Sequence, residues 1–257
     1  MKQTIIFISP LASRSGYGDH AREIAEYLCE QDDKYESTFV VTSWGTNPMN
    51  ALDNNESKTK ELLDRIALEP TDSTYDICIH LGMPGEFKTL GRYNIGITAG
   101  VETNICPKDF LIGCNKMDLI IVPSEFTRHT LTTTTHDEIK CETEVVVVPE
   151  TVDKIFYHEN SVESKTLSTR LDIIKESFCF LFVGQWITSD TDDGGRKNID
   201  SLIKTFIKTF HGLDDPPALV LKTNGTDFSY IDRQLILEKI KSITEGFVGT
   251  TAKTPSI

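Results

Sequence analysis

At 257 residues the chain holds one large domain or two of ordinary size, and a composition that is 39% apolar and 25% charged excludes a disordered or fibrous protein. A net charge of −13 excludes bulk attraction to nucleic acid or to an anionic membrane. No apolar run approaches the roughly 18 to 20 residues that cross a bilayer.

The apolar run Thr4-Ile5-Ile6-Phe7-Ile8 is too short for a signal-peptide core and reads as a first strand, so a cytoplasmic protein is expected. Residues 19–29 follow as a helix, with Ile24, Ala25 and Leu28 on one face and Asp19 as N-cap. Residues 38–42 form a second strand and residues 58–68 a helix built on Leu62, Leu63 and Ile66. Three short apolar strands come next, at 76–81, 94–98 and 119–122, and Ser124 caps another helix. The four valines of 145–148 are the signature of a strand covered on both faces. This alternation predicts an α/β fold with a doubly wound, Rossmann-like parallel sheet over residues 1–149.

Pro149 ends that pattern, and residues 150–177 read as a polar linker and connecting helix. A second alternating run occupies 178–257: a strand near Phe180, a helix with Ile199, Leu202, Ile203 and Phe206 on one face, a strand at 218–221 and a helix at 232–243. Two strand–helix units cannot bury both faces of a parallel sheet, so this second Rossmann-like domain is expected to be incomplete. The six cysteines form no CxxC pair and read as reduced, partly buried thiols. The six histidines form no HxH or HxxxH pair, and no metal site or cofactor is expected.

Four places can hold chemistry. In Ser13-Arg14-Ser15-Gly16-Tyr17-Gly18-Asp19, Gly16 and Gly18 let backbone approach an anion at a helix N-terminus; a tight strand-to-helix turn is the plainer reading. His80 stands at the carboxyl end of a strand, where open α/β sheets bind ligands, or serves as a structural hydrogen-bonding residue. Glu102, just past a strand, can orient a hydroxyl or carry a proton, or be a cap or surface carboxylate. Arg196-Lys197-Asn198 closes a polar loop ahead of a helix. Cations there oppose the helix dipole, which favours a bound anion such as a diphosphate over plain surface charge.

In this order the pieces resemble the retaining glycosyltransferases of the GT-B fold, of the family 4 type. The resemblance rests on Ser15-Gly16-Tyr17-Gly18, on Gly100-Val101-Glu102-Thr103 ahead of Pro107, on residues 118–127, on residues 148–156, and on the Arg196-Lys197-Asn198 loop. It implies two Rossmann-like domains, an N-terminal one for the acceptor and a C-terminal one for a nucleotide-sugar donor held between them. It also implies transfer with retention and without a metal. Gly16, Gly18, Arg196, Lys197 and Asn198 would bind the donor phosphates, fixed cations stabilising the charge that builds on the leaving group. His80 would contact the transferred sugar and Glu102 would position a glycan, lipid or small-molecule acceptor. Three departures stand out. Gln185 occupies the place of an arginine, Glu150-Thr151 replaces an Asn-Gly pair, and the family's later paired glutamates have no counterpart, so a C-terminally truncated chain is expected. A non-catalytic sugar- or nucleotide-binding remnant, and a sugar-nucleotide epimerase of the same architecture, are the alternative expectations.

Overall fold

The computed structural model describes residues 2–53, 57–70, 74–152, 173–186, 197–225, 229–247 and 254–257. The chain divides into two compact units, Met1–Tyr157 and His158–Ile257. Arg196, residues 153–156 of the crossing segment and most of the expected linker lie outside the described residues.

The first unit is built on a seven-stranded sheet. In chain order its elements are β1 (Gln3–Ser9), α1 (Gly16–Glu30), β2 (Tyr35–Val41), α2 (Ser57–Leu63), β3 (Ile66–Ala67), β4 (Tyr75–Leu81) and β5 (Gly91–Ile97). There follow α3 (Lys108–Cys114), β6 (Leu119–Val122), α4 (Glu125–Thr133), the two-residue strands β7 (Thr135–His136) and β8 (Ile139–Lys140), and β9 (Val145–Val147). The strand order is β3-β2-β1-β4-β5-β6-β9, and every pairing within this sheet is parallel. It is the doubly wound order, reversing direction between β1 and β4, and all carboxyl ends lie at one edge.

The pleat sorts the core. Ile5 and Phe7 of β1 pack with Ala21, Ala25 and Leu28 of α1, while Ile6 and Ile8 pack with Val40 and Cys78 in a separate cluster. A third cluster joins Leu111 and Cys114 of α3 and Leu131 of α4 to Ile120 and Val122. β1 is therefore apolar over Ile5–Ile8, because the two clusters cover both of its faces.

Several sequence expectations shift. α1 starts three residues before Asp19: Ser15 is the N-cap, accepting from the Gly18 N–H, and Asp19 lies in the first turn, where it pairs with Arg22. The helix expected over 58–68 stops at Leu63, and Ile66–Ala67 pairs with β2 instead, since β-branched Ile66 meets an open strand edge there. The valine run is, among the described residues, an edge strand paired with β6 alone; its three residues are half-buried and Val148 is exposed. β-propensity marks a strand but not its place in the sheet.

The second unit contains β10 (Cys179–Val183), α5 (Ile199–Phe210), β11 (Ala218–Lys222) and α6 (Tyr230–Glu245). β10 and β11 pair in parallel. Ile199, Ile203, Phe206 and Ile207 of α5 form a buried stripe against Trp186 and Leu219. α6 packs Ile236, Ile240 and Ile243 onto that cluster but buries no residue fully, and Leu235, expected on its inner face, is exposed. Phe180, Leu181 and Val183 of β10 are also exposed.

Candidate functional site

A shallow groove runs along the carboxyl edge of the first unit's sheet. Its walls include Tyr17 and His20 of α1, Leu81 ending β4, Thr98 after β5, Pro123 after β6 and Glu150 after β9. Parallel strands deliver loop after loop to this edge, which is why open α/β sheets bind ligands there.

The first wall is set by the β1–α1 turn. Ser13 Oγ lies 2.9 Å from Ser15 Oγ, and Ser15 Oγ in turn accepts from the Gly18 N–H at 3.1 Å. Arg22 donates from Nη1 to the carbonyls of Leu11 (2.8 Å) and Ser13 (2.9 Å). Gly18 is buried so closely on that turn that a Cβ there would sit 2.0 Å from the Ser13 carbonyl oxygen, whereas a Cβ on exposed Gly16 would meet nothing within 4 Å. Gly16 and Gly18 were both expected to let the backbone approach a phosphate. The Gly18 N–H belongs to the helix cap, and its missing side chain serves packing. Gly16 is the open position of the pair.

Tyr17 ties this turn to the loop after β5. Its hydroxyl accepts from the Ala99 N–H at 2.9 Å and lies 3.3 Å from Thr98 Oγ1, which accepts from the Gly100 N–H at 3.1 Å. Burial raises the Tyr17 pKa. Its ring stacks on Trp44 with centroids 4.1 Å apart. From the other side, Thr127 Oγ1 donates to the Ala99 carbonyl at 3.1 Å. Gly100 holds φ +77, and a Cβ there would sit 2.4 Å from the Thr127 methyl. The loop of 98–100 is thus pinned by both α1 and α4. Tyr17→Phe strands the Ala99 donor and is expected to cost about 1 kcal/mol, read as a lower urea midpoint at unchanged slope.

Glu150 and Thr151 lie along α1. Glu150 Oε1 is 3.2 Å from His20 Nδ1, and the Thr151 hydroxyl donates to the Glu23 carboxylate one turn further on. The pair that departs from the family pattern is therefore the pair that fastens the end of β9 to this helix. Tyr17, His20, Thr98 and Glu150 were not singled out from the sequence as site residues. The one signal was the one-turn spacing of His20 and Glu23, and nothing local ties it to residues 150 and 151.

His80 is 3% exposed. Its Nδ1 accepts from the Lys88 N–H at 3.0 Å and its ring lies against Phe87. Desolvation pushes its pKa down to about 4, with the nearby Lys88 charge adding to the shift. Direct contact with a transferred sugar needs an exposed imidazole; here the ring instead holds the turn after β4. Glu102 is exposed in the loop that continues from Thr98-Ala99-Gly100.

In the second unit, Lys197 and Asn198 are exposed at the start of α5. Asn198 is the N-cap in a left-handed conformation, φ +48, and offers no side-chain cap. Asp200 in the first turn accepts from the buried Trp186 Nε1–H at 2.9 Å, and Lys239 Nζ stands 5.5 Å from the centre of the Trp186 ring. Asp200 already supplies negative charge at this helix start, which offsets the conflict between the cations and the dipole. Gln185, at the family's arginine position, donates to the Gly225 carbonyl at 2.8 Å and so serves the loop. Among the described residues, no three His, Cys, Asp or Glu side chains gather so as to hold a metal ion. No helix among them is long and apolar enough to cross a membrane.

The strand order and the ligand edge define the class: an α/β protein with a doubly wound, Rossmann-like sheet and a second unit that begins with the same parallel strand–helix pattern. No protein-family model matches the sequence. No curated protein matches it either. Solved structures similar to this chain include Anabaena HepE in complex with UDP and glucose, 11% identical, covering 95% of this chain and 66% of that one at a TM-score of 0.49. A protein described as a UDP-N-acetylglucosamine 2-epimerase, from Listeria monocytogenes, is 13% identical and covers 98% of this chain and 68% of that one, with a TM-score of 0.48. S. aureus MnaA with UDP is 14% identical, covering 97% and 67%, with a TM-score of 0.45. The chain thus spans about two thirds of the length of these proteins. At this identity and score they assign no residue and no substrate to it.

Proposed function

We propose that this chain is a nucleotide-sugar enzyme, a glycosyltransferase of the GT-B type that moves a sugar from a nucleotide-diphosphate donor to an acceptor hydroxyl. The observation that carries this reading is the groove at the carboxyl edge of the doubly wound sheet, with Tyr17, Thr98 and Glu150 converging on it. The acceptor occupies this groove. Glu150 and Glu102 supply acceptor oxygens for its hydroxyls, and His80 acts as a positioning residue by holding the 82–88 turn. The donor diphosphate lies at the start of α5, bound by Arg196, Lys197 and the backbone N–H groups of the first turn, where Asn198 makes no side-chain cap. As the leaving phosphate gains charge, those cations stabilise the transition state more than the ground state, in the place of a metal, and retention follows from the family resemblance alone.

UDP is the first probe, because it carries the diphosphate that this reading places at the start of α5 without the sugar. Replacing Arg196 and Lys197 together by Ala is expected to weaken UDP binding at least tenfold, about 1.4 kcal/mol, by titration calorimetry. Equal affinity in a folded double variant removes the phosphate assignment. Incubation with UDP-sugars, followed by NMR, separates the outcomes. Transfer or slow hydrolysis supports the transferase, interconversion of the donor sugar without acceptor identifies an epimerase, and binding without turnover identifies a non-catalytic protein.

A further inference from the structure

Away from the groove, Cys106, Cys114 and Cys141 meet in the core beneath α3 and α4. The backbone holds two of them face to face. Asn115, next to Cys114, donates from Nδ2 to the Lys140 carbonyl at 2.7 Å and accepts on Oδ1 from the Glu142 N–H at 2.8 Å. Its amide thus grips the chain on both sides of Cys141. Thr143 Oγ1 completes the clamp, donating to the Cys114 carbonyl at 2.9 Å. Within that clamp Cys114 and Cys141 pack in one cluster, and the Cys141 thiol donates to the Thr143 carbonyl at 3.7 Å. Cys114 is fully buried and Cys141 half-buried, so an oxidant reaches Cys141 first.

We propose that Cys114 and Cys141 form a redox site, a dithiol that closes to a reversible disulfide on exposure to hydrogen peroxide. The Cys141 thiolate attacks one peroxide oxygen, the O–O bond breaks, and the products are a Cys141 sulfenic acid and hydroxide. Cys114 sulfur then attacks the Cys141 sulfur and displaces the sulfenic hydroxyl, which takes the Cys114 proton and leaves as water. Two thiols are oxidised by two electrons and one peroxide is reduced to two waters. Two features support these roles. The neighbouring Cys114 thiol lowers the Cys141 pKa, favouring its thiolate, while the same contact and burial raise that of Cys114. The Asn115 and Thr143 clamp also holds the backbones of the two cysteines beside each other in the folded chain. The bridge closes a loop containing β6, α4, β7 and β8.

The test uses the full chain carrying Cys179→Ser, so that this exposed thiol cannot cross-link two chains during oxidation. After treatment with one to a few equivalents of hydrogen peroxide, free thiols are blocked with N-ethylmaleimide and the protein is digested without reduction. The expected product is a single cross-link joining the peptides of Cys114 and Cys141, reversed by dithiothreitol. The oxidised protein is expected to melt roughly 5 to 15 °C higher, a gain absent from Cys141→Ser. Recovery of Cys141 as the maleimide adduct or as sulfinic acid, or its cross-linking to Cys106 instead, overturns the proposal. The cross-link itself is read on chain that retains both cysteines, so the outcome does not depend on how Cys141→Ser folds.

Discussion

Gly18→Ala is expected to destabilise the first unit by about 3 kcal/mol, whereas Gly16→Ala, two residues away, stabilises it by about 0.5 kcal/mol. The new Cβ at Gly18 would meet backbone, the Ser13 carbonyl at 2.0 Å for oxygen and 2.9 Å for carbon, with Arg22 Nη1 at 3.2 Å. No rotamer relieves that overlap. Either the first turn of α1 lifts or the Ser13 carbonyl turns, and the second breaks its bond from Arg22. At Gly16 the space is open and φ is not positive, so an alanine only lowers the entropy of the unfolded chain. Urea denaturation of the two variants measures the contrast directly. It also separates folding from binding. A ligand that needs close backbone approach loses affinity in Gly16→Ala at undiminished stability, whereas Gly18→Ala acts through the turn. Equal midpoints for both variants would contradict this division of labour.

The second large effect is a loss of stability on acidification, traced to His80. Its folded pKa, near 4, lies below the 6.5 of an unfolded histidine because burial disfavours the charged ring. Above pH 6.5 the ring is neutral in both states and costs nothing. Between 6.5 and 4 the unfolded chain takes up a proton that the native state refuses, so stability falls with falling pH, by about 3 kcal/mol across the window. Below the folded pKa the native ring protonates too and the decline from this residue ends. His80→Asn removes the titration while its Oδ1 offers the Lys88 N–H an acceptor close to where Nδ1 stood. The difference between the wild-type and variant stability curves, measured by urea at half-unit steps, isolates the histidine from the carboxylates. A difference that stays flat from pH 7 to 4 would refute the assignment. The same burial explains why this imidazole holds a turn in place of meeting a substrate.

Much of the fold was legible without coordinates. Alternating apolar strands and amphipathic helices are local patterns, and the parallel sheet followed from their number and spacing. β4 and β6 fell within a residue of their expected bounds because turn residues and a Ser124 cap flank them. The start of α1 was misplaced because Ser15 and Asp19 are both good capping residues, and only backbone conformation distinguishes them. The valine run reached the edge of the sheet because strand order is a tertiary property.

For the candidate site the division is sharper. By itself the sequence determined the α/β class, the strand-to-helix turn at residues 13–19 and the polar start of α5, all of which depend on neighbours a few residues apart. Only the tertiary structure decided that Gly18 packs where Gly16 is open, that His80 is enclosed, and that Glu150 meets His20 across 130 residues of chain. Burial and long-range hydrogen bonds are set by which strands become neighbours, and no local pattern encodes that.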